Sequence, residues 1–373
     1  MRRMKKGLLV VMMLVCLCMF AANALAATTY DVNSADDLVT ALNAARAGNA
    51  DIVINMKANV DMTGKKLSTS TASYNKVVLN GNNKTISNLT DPLFNTCHVS
   101  NLTVKDLTID HANINSTTDY GAVIVPNADR GDSLTVKNVK IFNSTVKSKK
   151  YAGAIYAFGG GYSISSDGPV YFDVLIEDCV VRDCTFESKG SVGSYIGHAA
   201  CSEWTTIKIE NCVAEDNTVT STDDSKMKAG DLIGTNGVFT DEQPVVNGEK
   251  KTSGTFINAT TKNNKVTSNG TEVHRVVGRA GSAGSNLTFT GGSYDTPREE
   301  NSKFADKPEE DLVMMPTNKG EGGAFLEDQV VNGAGNAAVK DLPQTGDNSS
   351  LMIWTMMLCL CGAAFTAKKA FVR

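Results

Sequence analysis

The hydrophobic positions of the chain follow a pattern that recurs in five segments of thirteen residues each. Apolar or small residues occupy mostly positions 1, 3, 6, 8 and 13, and Asn or Asp occupies position 5 in every copy. Spacing by two predicts short β-strands, and the change of parity between positions 3 and 6 predicts a corner. The five segments are 102–114, 134–146, 174–186, 207–219 and 254–266.

A second element follows each of these segments and extends it into a coil. A glycine lies nineteen residues after the first three starts and twenty-three after the fourth, and a short apolar run follows each one. Segment 77–81 looks like an earlier copy, and segment 287–292 starts a sixth. Strands this short are unstable alone, but stacked coils pair with their neighbours and bury one continuous core. The pattern therefore predicts an all-β fold, a parallel β-helix over residues 76–294. The rule for parallel crossovers makes it right-handed. The four glycines are Gly121, Gly153, Gly193 and Gly230.

These repeats resemble the right-handed β-helix repeats of pectate-lyase-like surface proteins, and Gly230–Gly234 resembles the short GLUG repeat of bacterial surface proteins. The resemblance implies the β-helix fold, which polysaccharide lyases and hydrolases share, so an enzyme has to be considered. The hydrolase motifs Gly-Asp-Asp, His-Gly and Arg-Ile-Lys are absent from the chain. Because a fold does not carry an activity with it, no catalytic residue is predicted.

The first residues have the composition of a secretory signal peptide. Four basic residues among the first six precede an apolar stretch, 7–20, and the small residues Ala24 and Ala26 mark a cleavage site before Ala27. We predict that residues 1–26 are removed on export. The alternative is an uncleaved membrane anchor.

Residues 342–373 contain a pentapeptide, an apolar stretch and a basic tail in that order. The pentapeptide is Leu342-Pro343-Gln344-Thr345-Gly346, and the apolar stretch spans 351–367. This arrangement resembles the LPXTG sorting signal of Gram-positive surface proteins. The resemblance implies that a sortase cleaves after Thr345 and joins its carbonyl group to peptidoglycan, so the precursor is membrane-bound only transiently. A permanent transmembrane anchor is the alternative.

The residues between these two signals divide into three parts. Residues 27–75 are predicted to form an N-terminal cap and the first rung. In this cap, a helix begins after Ser34 and ends at Gly48, and Ile52 starts the rung. The β-helix fills residues 76–294. Residues 295–341 are rich in Glu, Asp, Lys, Gly and Asn and poor in aromatics, so they are predicted to form a disordered linker that spans the wall.

The exported part, residues 27–345, is acidic and has an odd number of cysteines. It contains 29 Lys and Arg against 39 Asp and Glu, a formal net charge of −10, which argues against a nucleic-acid partner. Its five cysteines include no CxxC pair, so no zinc site is predicted. Cys179 and Cys212 share position 6 of neighbouring coils and should touch in the core. They are expected there either as thiols packed like small apolar side chains or as a disulfide.

Two groups of residues are candidates for a binding site. Asp183 and Asp216 share position 10 of neighbouring coils, where two carboxylates could bind calcium; the alternative is a solvated acidic face. No other cofactor is predicted. Aromatic residues concentrate between residues 151 and 204, and we predict that Tyr156, Tyr162 and Trp204 contact a carbohydrate or protein partner. The alternative is that these aromatic residues fold back on the coil.

Together these features predict a non-enzymatic surface protein of a Gram-positive bacterium, secreted and covalently anchored to the cell wall at Thr345. Its predicted role is adhesion or another surface interaction. Sortase and peptidoglycan are the predicted partners, and a host glycan or matrix protein is the predicted target. Two alternatives stay open: a wall-anchored polysaccharide lyase or hydrolase, and a structural spacer or pilus-type subunit. The pilin motif Tyr-Pro-Lys is absent, which disfavours the pilus subunit.

Overall fold

The structure, a computed structural model, is a parallel β-helix built from stacked coils. All described residues belong to the first of two compact units, Met1–Ala337, and the second, Ala338–Arg373, lies outside the described part. The predicted signal peptide, residues 1–26, and the sorting motif, residues 342–346, also lie outside the described residues. No helix among the described residues has the length and apolar character needed to cross a membrane. The structure describes residues 27–48, 50–68, 73–95, 98–129, 133–160, 162–165, 168–170, 172–199, 205–222, 229–236, 253–272, 276–280, 286–294, 323–324, 329–332 and 335–336.

The N-terminal part consists of short strands, one helix and two long strands that each run through a corner. Its elements are β1 (Thr28–Val32), α1 (Ala35–Arg46), β2 (Ile52–Met56), β3 (Val60–Asp61), β4 (Ser73–Ser87) and β5 (His98–Asp110). The helix begins where predicted, because the Ser34 Oγ accepts a hydrogen bond from the Asp37 N–H at 3.2 Å. The Asp37 carboxylate in turn accepts a hydrogen bond at 3.0 Å from the N–H of Asn33, the residue before the N-cap, and this bond lowers the pKa of Asp37.

The first rung begins earlier than predicted. Strand β1 pairs in parallel with β2, with Thr28 opposite Ile52, so a rung precedes the helix and Ile52 does not start the stack. The sequence of β1 buries only Val32, so no apolar alternation marks it as a strand. Helix α1 then packs its apolar face on the core. The residues of that face are Leu38, Ala41, Leu42 and Ala45.

Five coils follow the same order of strands, except that the fourth strand of the fifth coil pairs antiparallel with the third strand of that coil. A sixth coil is represented by its first two strands. The first coil continues from β5 with β6 (Asn113–Asn115), β7 (Tyr120–Ala122) and β8 (Val125–Asp129). The second contains β9 (Ser133–Phe142), β10 (Thr145–Lys147), β11 (Tyr151–Gly153) and β12 (Tyr156–Gly160), followed by the antiparallel hairpin of β13 (Tyr162–Ser165) and β14 (Gly168–Val170). The third contains β15 (Phe172–Glu177), β16 (Val180–Arg182), β17 (Thr185–Ser188), β18 (Ser191–Gly193) and β19 (Ile196–Ala199).

The remaining coils keep this arrangement. The fourth contains β20 (Thr205–Glu210), β21 (Val213–Glu215), β22 (Thr218–Ser221), β23 (Ala229–Gly230) and β24 (Ile233–Asn236). The fifth contains β25 (Ser253–Ile257), β26 (Thr260–Lys262), β27 (Lys265–Ser268), β28 (Thr271–Glu272) and β29 (Val277–Ala280). The last strands are β30 (Asn286–Thr290), β31 (Ser293–Tyr294), β32 (Gly323–Ala324), β33 (Gln329–Asn332) and β34 (Gly335–Asn336).

Equivalent strands of successive coils form four sheets that run along the stack. Sheet A holds, in each coil, the strands before and after the corner at position 5, together with the first and last strands of the stack. Sheet B holds β6, β10, β17, β22, β27 and β28. Sheet C holds β7, β11, β18 and β23, and sheet D holds β8, β12, β19, β24 and β29. The repeats stack in the predicted register, which also includes the copies at Val77 and Leu287. Position 1 forms one column of Leu102, Leu134, Val174, Ile207 and Gly254.

Each coil turns twice through a residue in the left-handed conformation. The corner at position 5 was predicted, and its five residues have φ between 50° and 54°. The second corner, at position 10, was not predicted as a corner, although its residues have φ between 49° and 56°. Asn and Asp fill most of these places because they tolerate this conformation better than other residues with a Cβ. The position 5 residues are Asp106, Asn138, Asp178, Asn211 and Asn258; those at position 10 are His111, Asn143, Asp183, Asp216 and Asn263.

Three short strands lie within the predicted linker, residues 295–341, whose disorder elsewhere stays a prediction. Strand β33 pairs antiparallel with β30, β32 with β31, and β34 with β33. These strands give backbone partners to the last coil, whose free edge would otherwise expose unpaired N–H and C=O groups.

Candidate functional site

The two aspartates proposed as a calcium site are corner residues. Asp183 and Asp216 have φ of 55° and 56°, so the backbone conformation alone accounts for their residue type. The Arg182 Nε lies 3.4 Å from a carboxylate oxygen of Asp183. The described residues contain no group of three or more His, Cys, Asp or Glu side chains placed to hold a metal ion. Calcium binding by this pair stays a prediction.

Two glutamates of sheet A, Glu177 and Glu215, are paired with lysines. The Lys137 Nζ lies 2.7 Å from Glu177 Oε1, and this contact raises the pKa of Lys137. Lys262 lies 2.6 Å from Glu215 and lowers the pKa of that carboxyl group. Each of these pairs joins two adjacent coils and is partly exposed, so it contributes little stability alone. The outer face of sheet A therefore carries charges of both signs at these positions.

The cysteines at position 6 are free thiols in the core, as the first of the two alternatives predicted. Cys179 and Cys212 are at most 1% exposed, and neither forms a disulfide. Burial, and then the neighbouring Cys179, raise the pKa of Cys212. Each thiol donates to the carbonyl oxygen two residues before it, at 3.1 Å. The pair is thus a packing element of the core.

The buried thiol of Cys184, at position 11, is expected to make the stability of the fold depend on pH. Burial raises the pKa of its thiol from 9.0 to about 12. Since the folded state keeps this thiol neutral, its contribution to stability is complete below the pKa of the unfolded chain and is lost as pH rises towards 12. We expect the free energy of unfolding to fall through this group by about 2 kcal/mol between pH 8 and pH 10.5. Denaturant titrations at the two pH values measure it.

The matched variant for this measurement is Cys184→Ser. A serine already occupies position 11 of the previous coil, where Ser144 is buried and donates to the Phe142 carbonyl at 2.7 Å. The variant should therefore fold, and its loss of stability at high pH should be smaller by about 2 kcal/mol. Equal losses in the two proteins would show that Cys184 ionises normally in the folded chain.

The aromatic residues proposed as partner contacts do not form one surface. Tyr156 is fully buried, and its ring packs edge-on against Phe172 with centroids 6.1 Å apart, so its predicted role as a surface contact is wrong. The physical reason is that the start of sheet D is buried on both faces. The side chain of Tyr162 and the whole of Trp204 lie outside the described residues.

A different set of rings comes together where sheets C and D meet. Tyr120 and Tyr151 from sheet C stack with centroids 5.9 Å apart, and Phe158 from sheet D lies 5.0 Å from Tyr151. His198 completes this aromatic cluster, 5.2 Å from Tyr151 and 5.4 Å from Phe158. All four side chains are half-buried. The cluster is the candidate functional site.

The register of the coils produces this cluster. Tyr151 pairs with Tyr120, and Phe158 pairs with His198, so each sheet contributes two rings from adjacent coils. The repeat alignment missed the first pair because it set Gly121 against Gly153, whereas Gly153 pairs with Ala122. The turn between β10 and β11 is one residue shorter than the turn between β6 and β7. Aligning the two tyrosines, each at the start of its strand, would have revealed the site.

Exposed lysines lie beside the cluster, in the turns that lead into sheet C. The Lys150 Nζ is 5.1 Å from the centroid of the Tyr151 ring, a cation–π distance. Its contact with the Tyr151 phenol is the main cause that raises the pKa of Lys150. Lys149 precedes Lys150 in the chain. In the next coil Ser191 pairs with Tyr151, so Lys189, two residues before Ser191, corresponds to Lys149. Asp119, also exposed, is the nearby acidic residue that further raises the pKa of Lys150.

The cluster ends at a buried pair of hydroxyl groups. Ser191 follows Tyr151 in its column and Thr235 follows His198, and their hydroxyl oxygens are 2.7 Å apart. Both are at most 1% exposed. The rings therefore span three coils, with cations on the side of sheet C. Such an arrangement can hold a flat, partly apolar ligand that carries negative charge at one end.

Comparisons with known proteins assign no activity to this site. No family model matches the chain, and a search of the curated proteins finds no match. A search of solved structures finds the crystal structure of a "putative immunoglobulin A1 protease" from Bacteroides ovatus, with 13% sequence identity and a TM-score of 0.45. That match covers 66% of this chain and 78% of the other. A likeness this low carries no functional argument.

Proposed function

We propose that the chain is a surface protein covalently anchored to the cell wall of a Gram-positive bacterium, with a β-helix that serves adhesion or another surface interaction without catalysis. The observation that carries this proposal is the pentapeptide Leu342–Gly346, followed in order by the apolar stretch 351–367 and the basic residues of the tail. The basic and apolar segments within residues 1–26 support export.

The β-helix supports the binding part of the proposal. Its half-buried aromatic cluster offers contact area, while the carboxylates of Glu177 and Glu215 are engaged by lysines. Partly exposed aromatic side chains, with a large apolar surface and few rotatable bonds, are typical of binding surfaces. Sortase and peptidoglycan are the partners that this proposal requires. The target is a glycan or matrix protein outside the cell.

Anchoring is tested by Thr345→Ala in the producing bacterium. Because a sortase joins the Thr carbonyl to peptidoglycan, we expect most of the variant to be lost from the cell-wall fraction and recovered in membranes or medium. Boiling in detergent should leave the parent protein on the wall until a peptidoglycan hydrolase releases it. Immunoblots of the fractions measure the distribution.

Thr317→Ala is the control, since it changes a threonine outside the pentapeptide. It should be distributed like the parent protein. Thr345→Ala that stays resistant to boiling detergent would contradict covalent anchoring at this residue. Release of reducing or unsaturated sugars from acidic polysaccharides by the purified chain would contradict the non-enzymatic part.

A further inference from the structure

We propose that the aromatic cluster binds an acidic glycan, with a terminal carboxylated pyranose of the sialic acid type at Lys149, Lys150 and Lys189 and a neutral sugar on the rings. This inference deepens the surface-interaction function proposed above and rests on it. The ligand class follows from three features: the rings, their span along the stack, and the one-sided placement of the cations.

The rings have the chemistry of a sugar platform. The face of an aromatic ring is negative, and the axial C–H groups of a pyranose are weakly positive, so a sugar ring packs flat on Tyr or Phe. The centroid distances of 5.0 to 5.9 Å from Tyr151 to its neighbours show that the rings contact one another and form one cluster. Phe158 carries no polar atom on its ring and is half-buried, so part of its apolar surface is accessible.

The span of the cluster limits the length of the ligand. Neighbouring coils are separated by about 4.8 Å, so three coils extend over about 10 Å. One or two pyranose rings cover this distance. Beyond it the column continues with the buried hydroxyl pair of Ser191 and Thr235, which is closed to a ligand. The site therefore fits the end of a glycan chain better than a long polymer.

The charges around the cluster indicate that the ligand is acidic at the end that lies near sheet C. The exported chain carries a formal net charge of −10, which repels anions in general. Against that background, Lys150 places an exposed cation 5.1 Å from the centroid of the Tyr151 ring, with Asp119 as an acidic neighbour. Lys149 and Lys189 are exposed in the turns that lead into the same two strands of sheet C. Lys147, also nearby, is already paired with Glu187 at 2.8 Å. Because these lysines lie on the sheet C side, the ligand should be charged at one end and neutral over the rings.

Calorimetric titration of the purified full-length chain with three probes tests the assignment. The probes are sialyllactose, lactose, and a trisaccharide of galacturonic acid. We expect sialyllactose to bind at least about tenfold more tightly than lactose, because charge-assisted contacts to the lysines are lost with the neutral sugar. The affinity for sialyllactose should fall with added salt, since exposed charges are screened. The affinity for lactose should hardly change.

Two variants separate the rings from the cations. Tyr151→Ala removes the central ring of the cluster and should weaken the binding of both lactose and sialyllactose at least about tenfold. The triple variant Lys149→Gln, Lys150→Gln, Lys189→Gln should bind sialyllactose no better than lactose, and its binding should not depend on salt. The matched controls are Phe142→Ala and Lys140→Gln on sheet A. The Phe142 ring also has a cation over it, with the Arg182 guanidinium carbon 4.8 Å from its centroid. Both controls should bind like the parent chain.

The outcomes distinguish this inference from the function on which it rests. Equal binding of lactose and sialyllactose, or tighter binding of the galacturonic acid trisaccharide, would overturn the assignment of a single terminal acidic sugar. No binding of any probe, with wall anchoring and adhesion of the cells intact, would overturn the inference and leave the proposed function standing. Loss of adhesion in the triple variant, with normal anchoring, would support both.

Discussion

Gly193→Ala is expected to lower the free energy of unfolding by at least about 4 kcal/mol, a loss reserved for severe steric or polar defects. Gly193 ends β18, at the bend between sheets C and D. A Cβ there would lie 2.4 Å from the Ile196 carbonyl oxygen, 2.6 Å from that of Leu232 and 2.7 Å from the Gly234 nitrogen. Two of these atoms belong to the next coil, so relief requires two coils to separate. Denaturant unfolding of the full-length chain measures the loss.

Gly270→Ala is the control for this substitution. Gly270 has φ of 75° with nothing within 4 Å of an added Cβ, so only the left-handed backbone conformation is penalised, by about 1 kcal/mol. If Gly193→Ala costs no more than Gly270→Ala, the backbones of neighbouring coils do not touch at this bend.

The parts of the fold that could be predicted are those in which one face of a strand is buried and the other is exposed. In the first repeat, alternation identified the inward residues correctly, and Leu102, Val104 and Ile109 are all at most 2% exposed. Asn and Asp at position 5 identified the corner because few other residues tolerate its conformation. The repeat alignment likewise predicted that Cys179 and Cys212, both at position 6, lie side by side in the core.

The same reasoning failed where alternation carries no information. Every residue from Val192 to Gly197 is buried, so the sequence of sheets C and D cannot show which side chains face outward. The prediction that Tyr156 is a surface contact is wrong for this reason. The one-residue difference between the turns before β7 and β11 then hid the pairing of Tyr120 with Tyr151. Strand β1 was not predicted because only one of its side chains, Val32, is buried.

These successes and failures reflect a division of roles within each coil. Sheets A and B repeat the same residue types, because every coil must supply the same core and the same corners. At the bend where C and D meet, the first coil has Ala122 and the next three have glycine, and other positions of this region differ from coil to coil. The column that contains Phe158 changes from Asn127 through His198 to Thr235. A binding site can therefore change there without disturbing the stack.

The stack itself depends on polar contacts inside the core, and Asn217→Ala is expected to cost about 3 kcal/mol through their loss. Asn217, at position 11, is 1% exposed. Its Oδ1 accepts from the Cys184 N–H at 3.0 Å and its Nδ2 donates to the Val181 carbonyl at 2.9 Å. Alanine leaves both backbone groups buried without these bonds. Chemical unfolding at neutral pH measures the effect.

Asn211→Ala in the same coil is the matched control, because Asn211 is exposed at position 5 and has φ of 52°. It should cost about 1 kcal/mol, mainly from its backbone conformation. Asn217→Ser should restore part of the stability, since Ser144 in the equivalent position accepts a hydrogen bond from the Ala112 N–H at 3.0 Å. An Asn217→Ala variant as stable as Asn211→Ala would mean that the side-chain contacts do not hold the coils together. Stability would then come from apolar burial and the backbone ladders alone.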